Sequence, residues 1–108
     1  MIYLAVPYSH PFPQVREYRF KAVNKLAARL MGQGEKIFSS ISHTHPIALE
    51  GDLPTSWEYW REYDLNILKC CSKLIVYKLP GWEKSLGVAG EIEIAREMGL
   101  DIEFIEIE

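Results

Sequence analysis

The stretch Ser85-Leu86-Gly87-Val88-Ala89-Gly90-Glu91 sets small residues ahead of an apolar run of helical period. Such a segment exposes backbone at a helix start, where unpaired N–H groups and the positive end of the dipole attract anions. Ser85, Gly87 and the amides around them can hold a phosphate. Glu91, one turn further in, is a carboxylate that the same dipole is expected to keep ionised, as a nucleophile or a stabiliser of positive charge. The competing reading makes Glu91 a first-turn acid complementing the dipole, with Gly87 and Gly90 easing helix–sheet packing. His43-Thr44-His45 brings two imidazoles together, short of the three or four ligands that a zinc site needs, so no metal is expected. Cys70 and Cys71 are the only cysteines. Adjacent thiols cannot staple distant segments, which fits a reducing compartment, and neither has a neighbouring base, so both read as packing residues.

These residues need elements to position them. Met1 to Val6 is a short apolar run ending at Pro7 and predicts a strand. Gln14 to Met31 carries apolar residues at helical spacing before Gly32 and Gly34. Lys36 to Ser39 gives a second strand, and the Ser/His/Pro-rich stretch as far as Pro54 reads as a long loop. Ser56 caps a second helix running to Cys71, and Leu74 to Leu79 makes a third strand. Gly87 to Met98 forms a third helix closed by Gly99, and Ile102 to Ile107 a fourth, half-exposed edge strand. The alternation predicts a small Rossmann-like or flavodoxin-like three-layer sandwich with a mostly parallel sheet of four or five strands. Ligands of such sheets bind beyond the carboxyl ends of the strands, which nominates Pro7 to Pro13, Ser39 to Pro46 and Pro80 to Glu91.

With 108 residues, 12 Lys and Arg against 15 Asp and Glu, and a formal net charge of -3, the chain reads as a single domain over residues 1–108. The acidic balance, without a basic run, argues against a nucleic-acid polymer or an anionic membrane as partner. Residues 1–15 lack side-chain charge, but prolines interrupt them and no basic region precedes them. Neither a signal peptide nor a membrane span is therefore expected, and a cytoplasmic location is. Tyr8, Phe12, Trp57, Trp60, Tyr63 and Trp82 offer faces on which an aromatic ligand could stack, or serve as core and subunit contacts. A chain this small buries a modest core and gains from self-association.

Tyr3-Leu4-Ala5 in the first strand, Asp64 on the second helix and Ser85-x-Gly87-x-x-x-Glu91 leading the third together resemble the nucleoside 2-deoxyribosyltransferase superfamily. Within it the chain is most similar to the 2'-deoxynucleoside 5'-phosphate N-hydrolase branch and to short uncharacterised phage and bacterial relatives. The resemblance implies that Glu91 attacks the anomeric carbon of a sugar, giving a glycosyl-enzyme intermediate as in retaining glycoside hydrolysis. It implies that Asp64 polarises or protonates the leaving base; the competing reading is a solvated helix acid. Tyr3 joins the substrate-binding set on the same ground. Ser85 stands where the transferases carry an aspartate, and a hydroxyl with backbone amides accepts a 5'-phosphate that a carboxylate would repel. Arg16 and Arg19, with Ser9 and His10, could complete the phosphate site, unless both arginines are merely solvated. His43 and His45 could touch base or phosphate or make ordinary loop hydrogen bonds. The implied activity is cofactor-free N-glycosidase action on a nucleoside 5'-monophosphate by a homodimer or larger homo-oligomer. A deoxyribosyltransferase and a nucleotide-binding module without turnover are the alternatives.

Overall fold

A computed structural model describes residues 1–107. The chain runs β1 (Ile2–Ala5), α1 (Pro13–Gly32), β2 (Ile37–Ser39), α2 (Ser40–Gly51), α3 (Trp57–Leu68), β3 (Lys73–Lys78), a 3-10 turn (Trp82–Lys84), α4 (Leu86–Glu97) and β4 (Asp101–Glu106). The four strands form one wholly parallel sheet in the order β2-β1-β3-β4. The fold is a small Rossmann-like α/β sandwich.

The strand faces explain the layers. Leu4 on β1 packs with Val23, Leu26, Ala27 and Leu30 of α1 and Ile41 of α2, whereas its neighbours Tyr3 and Ala5 point the other way, into Leu65 and Leu68 of α3 and Val88 and Ala95 of α4. Alternation along one strand thus feeds two cores. Each fully buried Leu or Val contributes about 1.5–3 kcal/mol relative to exposure.

Helix starts follow their caps. The Ser39, Ser56 and Ser85 hydroxyls accept from the backbone N–H of Ser42, Tyr59 and Val88 at 3.3, 3.4 and 3.2 Å, and Pro13 opens α1 where a missing N–H costs nothing. The expected long loop before Pro54 is instead mostly helix α2. Its buried residues are Ser40, Ile41, Thr44, His45 and Ala48, a helical period carried largely by polar side chains, which a hydrophobicity pattern does not register. Thr44 Oγ1 donates to the Ser40 carbonyl at 2.9 Å, which satisfies the buried hydroxyl. β4 is the expected edge, with Ile102 turned to the α3/α4 core and Ile105 to the α1 core. Of the two cysteines expected to pack, Cys71 is buried and Cys70 is exposed; both are free thiols. Among the described residues no helix is long and apolar enough to cross a membrane.

Candidate functional site

β1 is flanked by β2 on one side and β3 on the other, so the topological switch lies beside its carboxyl end, where open α/β sheets bind ligands. A cavity of about 390 Å³ occupies this end, within the roughly 300–1,000 Å³ usual for small-molecule sites. All three segments nominated from the sequence contribute to it: Tyr8 and Ser9 after β1, Ser40, Ile41 and Thr44 after β2, and Lys84 to Gly87 with Glu91 after β3; Val6, just ahead of the first segment, lines it too. α3 adds Trp57 and Trp60 from its first turn and Asp64 from its middle.

Two buried carboxyl groups share this cavity. Glu91 is 4% exposed and Asp64 5%. Burial pushes Glu91 from 4.5 up to about 8, with the Tyr3 hydrogen bond pulling it down and the charge of Asp64 raising it again. Burial likewise pushes Asp64 up to about 7. The expectation that the helix dipole holds Glu91 ionised is corrected here. Glu91 is the sixth residue of α4, beyond the first turn to which the dipole's influence is confined, and desolvation outweighs what remains. Near neutral pH the pair retains at least part of its proton complement, which suits it to one acid and one base role. Asp64 Oδ1 is buried without a hydrogen-bond partner, an unmet acceptor at the cavity wall and costly unless protonated or occupied.

The Tyr3 hydroxyl donates to Glu91 Oε2. Tyr3 is fully buried and absent from the cavity lining. Expected in the substrate-binding set, it instead meets the site through the Glu91 carboxylate, which it holds by this bond. Burial raises the Tyr3 phenol well above its usual range, with the Glu91 and Asp64 charges adding to the effect, so it remains a donor. Ser9, Ser85 and Gly87 line the cavity as expected. His10, Arg16 and Arg19 do not. Arg16 Nη1 donates to the His10 carbonyl, and His10 Nδ1 accepts from Phe12 N–H at 3.0 Å. Arg19 donates to the carbonyls of Tyr8, Ser9 and Pro80 at 3.3, 3.1 and 3.2 Å. In this conformation Arg16 braces the loop after β1, Arg19 ties that loop to the one after β3, and the cation that does line the cavity is Lys84.

The start of α3 supplies a wall of the cavity. Trp57 lies against α4, and a Cβ at Gly90 would come within 2.7 Å of its Cζ2, one at Gly87 within 3.3 Å of its Cε3. The glycines make room for an indole that walls the cavity. The two imidazoles diverge: His43 Nε2 pairs with the Tyr63 hydroxyl at 3.0 Å, while His45 bonds Tyr8 and Glu17. Among the described residues no three His, Cys, Asp or Glu side chains gather as a metal-ligating cluster.

A family model matches residues 1–106, almost the entire chain; its description is a domain of unknown function, DUF1937. The chain belongs to the DUF1937 family. No curated protein matches it significantly. The cavity of this DUF1937 chain brings together two buried carboxyl groups, the exposed Glu58, a hydroxyl-capped helix start, one lysine and two indoles.

Proposed function

We propose that this DUF1937 domain is an N-glycosidase that cleaves the base–sugar bond of nucleoside 5'-monophosphates. The observation that carries the proposal is the presence of Glu91 and Asp64, buried and electrostatically coupled, in the cavity that Ser85, Gly87 and Lys84 also line. Glu91 is the nucleophile. At about pH 7 its ionisation in the free protein costs on the order of 1.4 kcal/mol, a debt that attraction to an oxocarbenium-like sugar can outweigh in a low-dielectric site. The Tyr3 hydroxyl steadies the ionised form. Asp64, whose carboxyl burial raises to about 7, supplies the acid for the departing base.

The amides at the start of α4, the Ser85 hydroxyl and Lys84 provide donors and charge for a phosphate, whose binding energy, remote from the reacting carbon, positions the sugar. Trp57 and Trp60 offer flat faces to a purine or pyrimidine. No cofactor enters this scheme. Self-association into a homodimer or larger homo-oligomer is proposed with it, on the ground of the chain's small size.

The test is a panel of ribo- and deoxyribonucleoside monophosphates, with their unphosphorylated counterparts, assayed for free base by chromatography. Base release from monophosphates that Glu91→Gln abolishes is the expected result. Release undiminished in that variant, or none from any substrate, overturns the reading. A second free base in the mixture separates hydrolysis from transfer, because only a transferase then makes a new nucleoside.

A further inference from the structure

A second hydrogen-bonded array meets the same cavity from the opposite core. Tyr8, in the loop after β1, lines the cavity and is 8% exposed. Its hydroxyl lies 2.6 Å from Nδ1 of His45, a residue of α2 that is 3% exposed. His45 Nε2 lies 2.8 Å from Glu17 Oε2 on α1, and the Glu17 side chain is 42% exposed. The imidazole is clamped between the Phe20 ring, with centroids 4.4 Å apart, and the edge of Tyr8. Hydroxyl, imidazole and carboxylate thus follow one another from cavity to solvent through a closed interior, and nothing in the scheme above uses them.

We infer that Tyr8, His45 and Glu17 form a proton relay that activates water in the cavity, with His45 as the base and Tyr8 as the group that brings its basicity to the substrate. The inference rests on the glycosidase reading for its reaction, but not for its wiring. With the Glu17 carboxylate accepting from Nε2–H, Nδ1 is left as an acceptor and the Tyr8 O–H donates to it, the order of groups that activates hydroxyl nucleophiles. In hydrolysis of a glycosyl–Glu91 ester, water gives a proton to Tyr8 Oη as the Tyr8 proton passes to Nδ1. The water oxygen bonds the anomeric carbon, and the sugar–Glu91 bond breaks with its electron pair returning to the carboxylate. The imidazolium, paired with Glu17, then returns its proton through Tyr8 to the cavity or releases it through Glu17 to bulk water. The charged groups around the relay include Lys21, whose Nζ lies 3.9 Å from Glu17 Oε1. Burial raises the Tyr8 phenol, Arg16 lowers it and Glu17 raises it, so Tyr8 passes a proton on without being ionised at rest. Arg19 meets Tyr8 at its backbone carbonyl.

The relay separates two steps that a purely structural role would not. The first chemical step, attack by Glu91, needs no water. Tyr8→Phe and His45→Gln should preserve a rapid first turnover of base release and slow the steady state by roughly 10²-fold or more. Azide, a nucleophile that needs no deprotonation, should restore turnover and appear in a glycosyl azide. Glu17→Gln, at a half-exposed position, should show the same pattern more weakly and guards against misfolding of the buried variants. Burst and steady state falling together, or no rescue by azide, overturns the relay. Its wiring is measured without substrate by ring-nitrogen NMR of histidine-labelled protein. Neutral His45 should carry its proton on Nε2, with the Nδ1 resonance moving in Tyr8→Phe; a proton on Nδ1 overturns the relay whatever the activity. A wild-type protein that releases no base from any monophosphate defeats the glycosidase reading alone, and the NMR result still decides the relay.

Discussion

Replacing Glu91 by Gln should make the domain more stable at alkaline pH, and the size of the gain follows from its burial. The unfolded chain gives up this proton near 4.5, whereas the folded chain keeps it until about 8. Between those values the native state binds more protons than the unfolded state, so stability is fully present below 4.5 and is lost as pH rises toward about 8. At about 1.4 kcal/mol per tenfold change, the loss is on the order of 3 kcal/mol between about pH 5 and pH 8. For a chain of this size that corresponds to a melting temperature lower by on the order of 10 °C. Glutamine cannot ionise, and its carbonyl can still accept from Tyr3. Melting followed by circular dichroism across this range should therefore show a steep decline for the wild type and a shallower one for Glu91→Gln. The residual slope belongs to Asp64, which titrates at about 7, and Asp64→Asn/Glu91→Gln should be nearly level. A wild-type melting temperature that stays constant across the range, or a glutamine variant that falls as steeply, would refute the claim that this carboxyl group is desolvated.

The same pair sets the other expectations. The pH profile of kcat/KM should be bell-shaped with its maximum between about 7 and 8, and Asp64→Asn should remove one limb; a profile flat from about 6 to 9 speaks against the assignment. Tyr3→Phe takes away the donor that favours ionised Glu91, so the limb due to Glu91 should move to higher pH, at a stability cost of about 1–2 kcal/mol; an unmoved limb contradicts the positioning role. Arg19→Ala removes the donor shared by the Tyr8, Ser9 and Pro80 carbonyls. Amide exchange in residues 8–12 and 80–84 should accelerate while the core helices keep their protection, and unchanged exchange would show that the two loops do not need this brace.

What was legible in the sequence depended on how each residue acts. Ser85, Gly87 and Glu91 were readable because a cap, a bare backbone and an acid at the start of an apolar helix announce themselves locally, and the parallel α/β order told where such a start must face. The ionisation state of Glu91 was not readable, because it depends on Asp64 and Tyr3, which lie 27 and 88 residues away. α2 escaped because Ser40, Thr44 and His45 fill core positions with polar groups that only hydrogen-bonded neighbours make tolerable. Arg16 and Arg19 carry the right chemistry for a phosphate, yet no spacing rule distinguishes an arginine that greets a ligand from one that ties loop carbonyls. Tyr8 offered only an aromatic face and Glu17 no pattern at all; their relation exists only through His45.

One detail of the wall bears on how such a cavity can change over time. Trp57 fits only because positions 87 and 90 lack side chains, so its volume is fixed by an agreement between two helices far apart in the chain. A first methyl group at position 90 would push the indole into the space a ligand needs, whereas trimming the indole first would leave slack for either glycine to fill. Paths toward a different guest therefore open more readily at the tryptophan, and the order in which substitutions arrive matters as much as their identity.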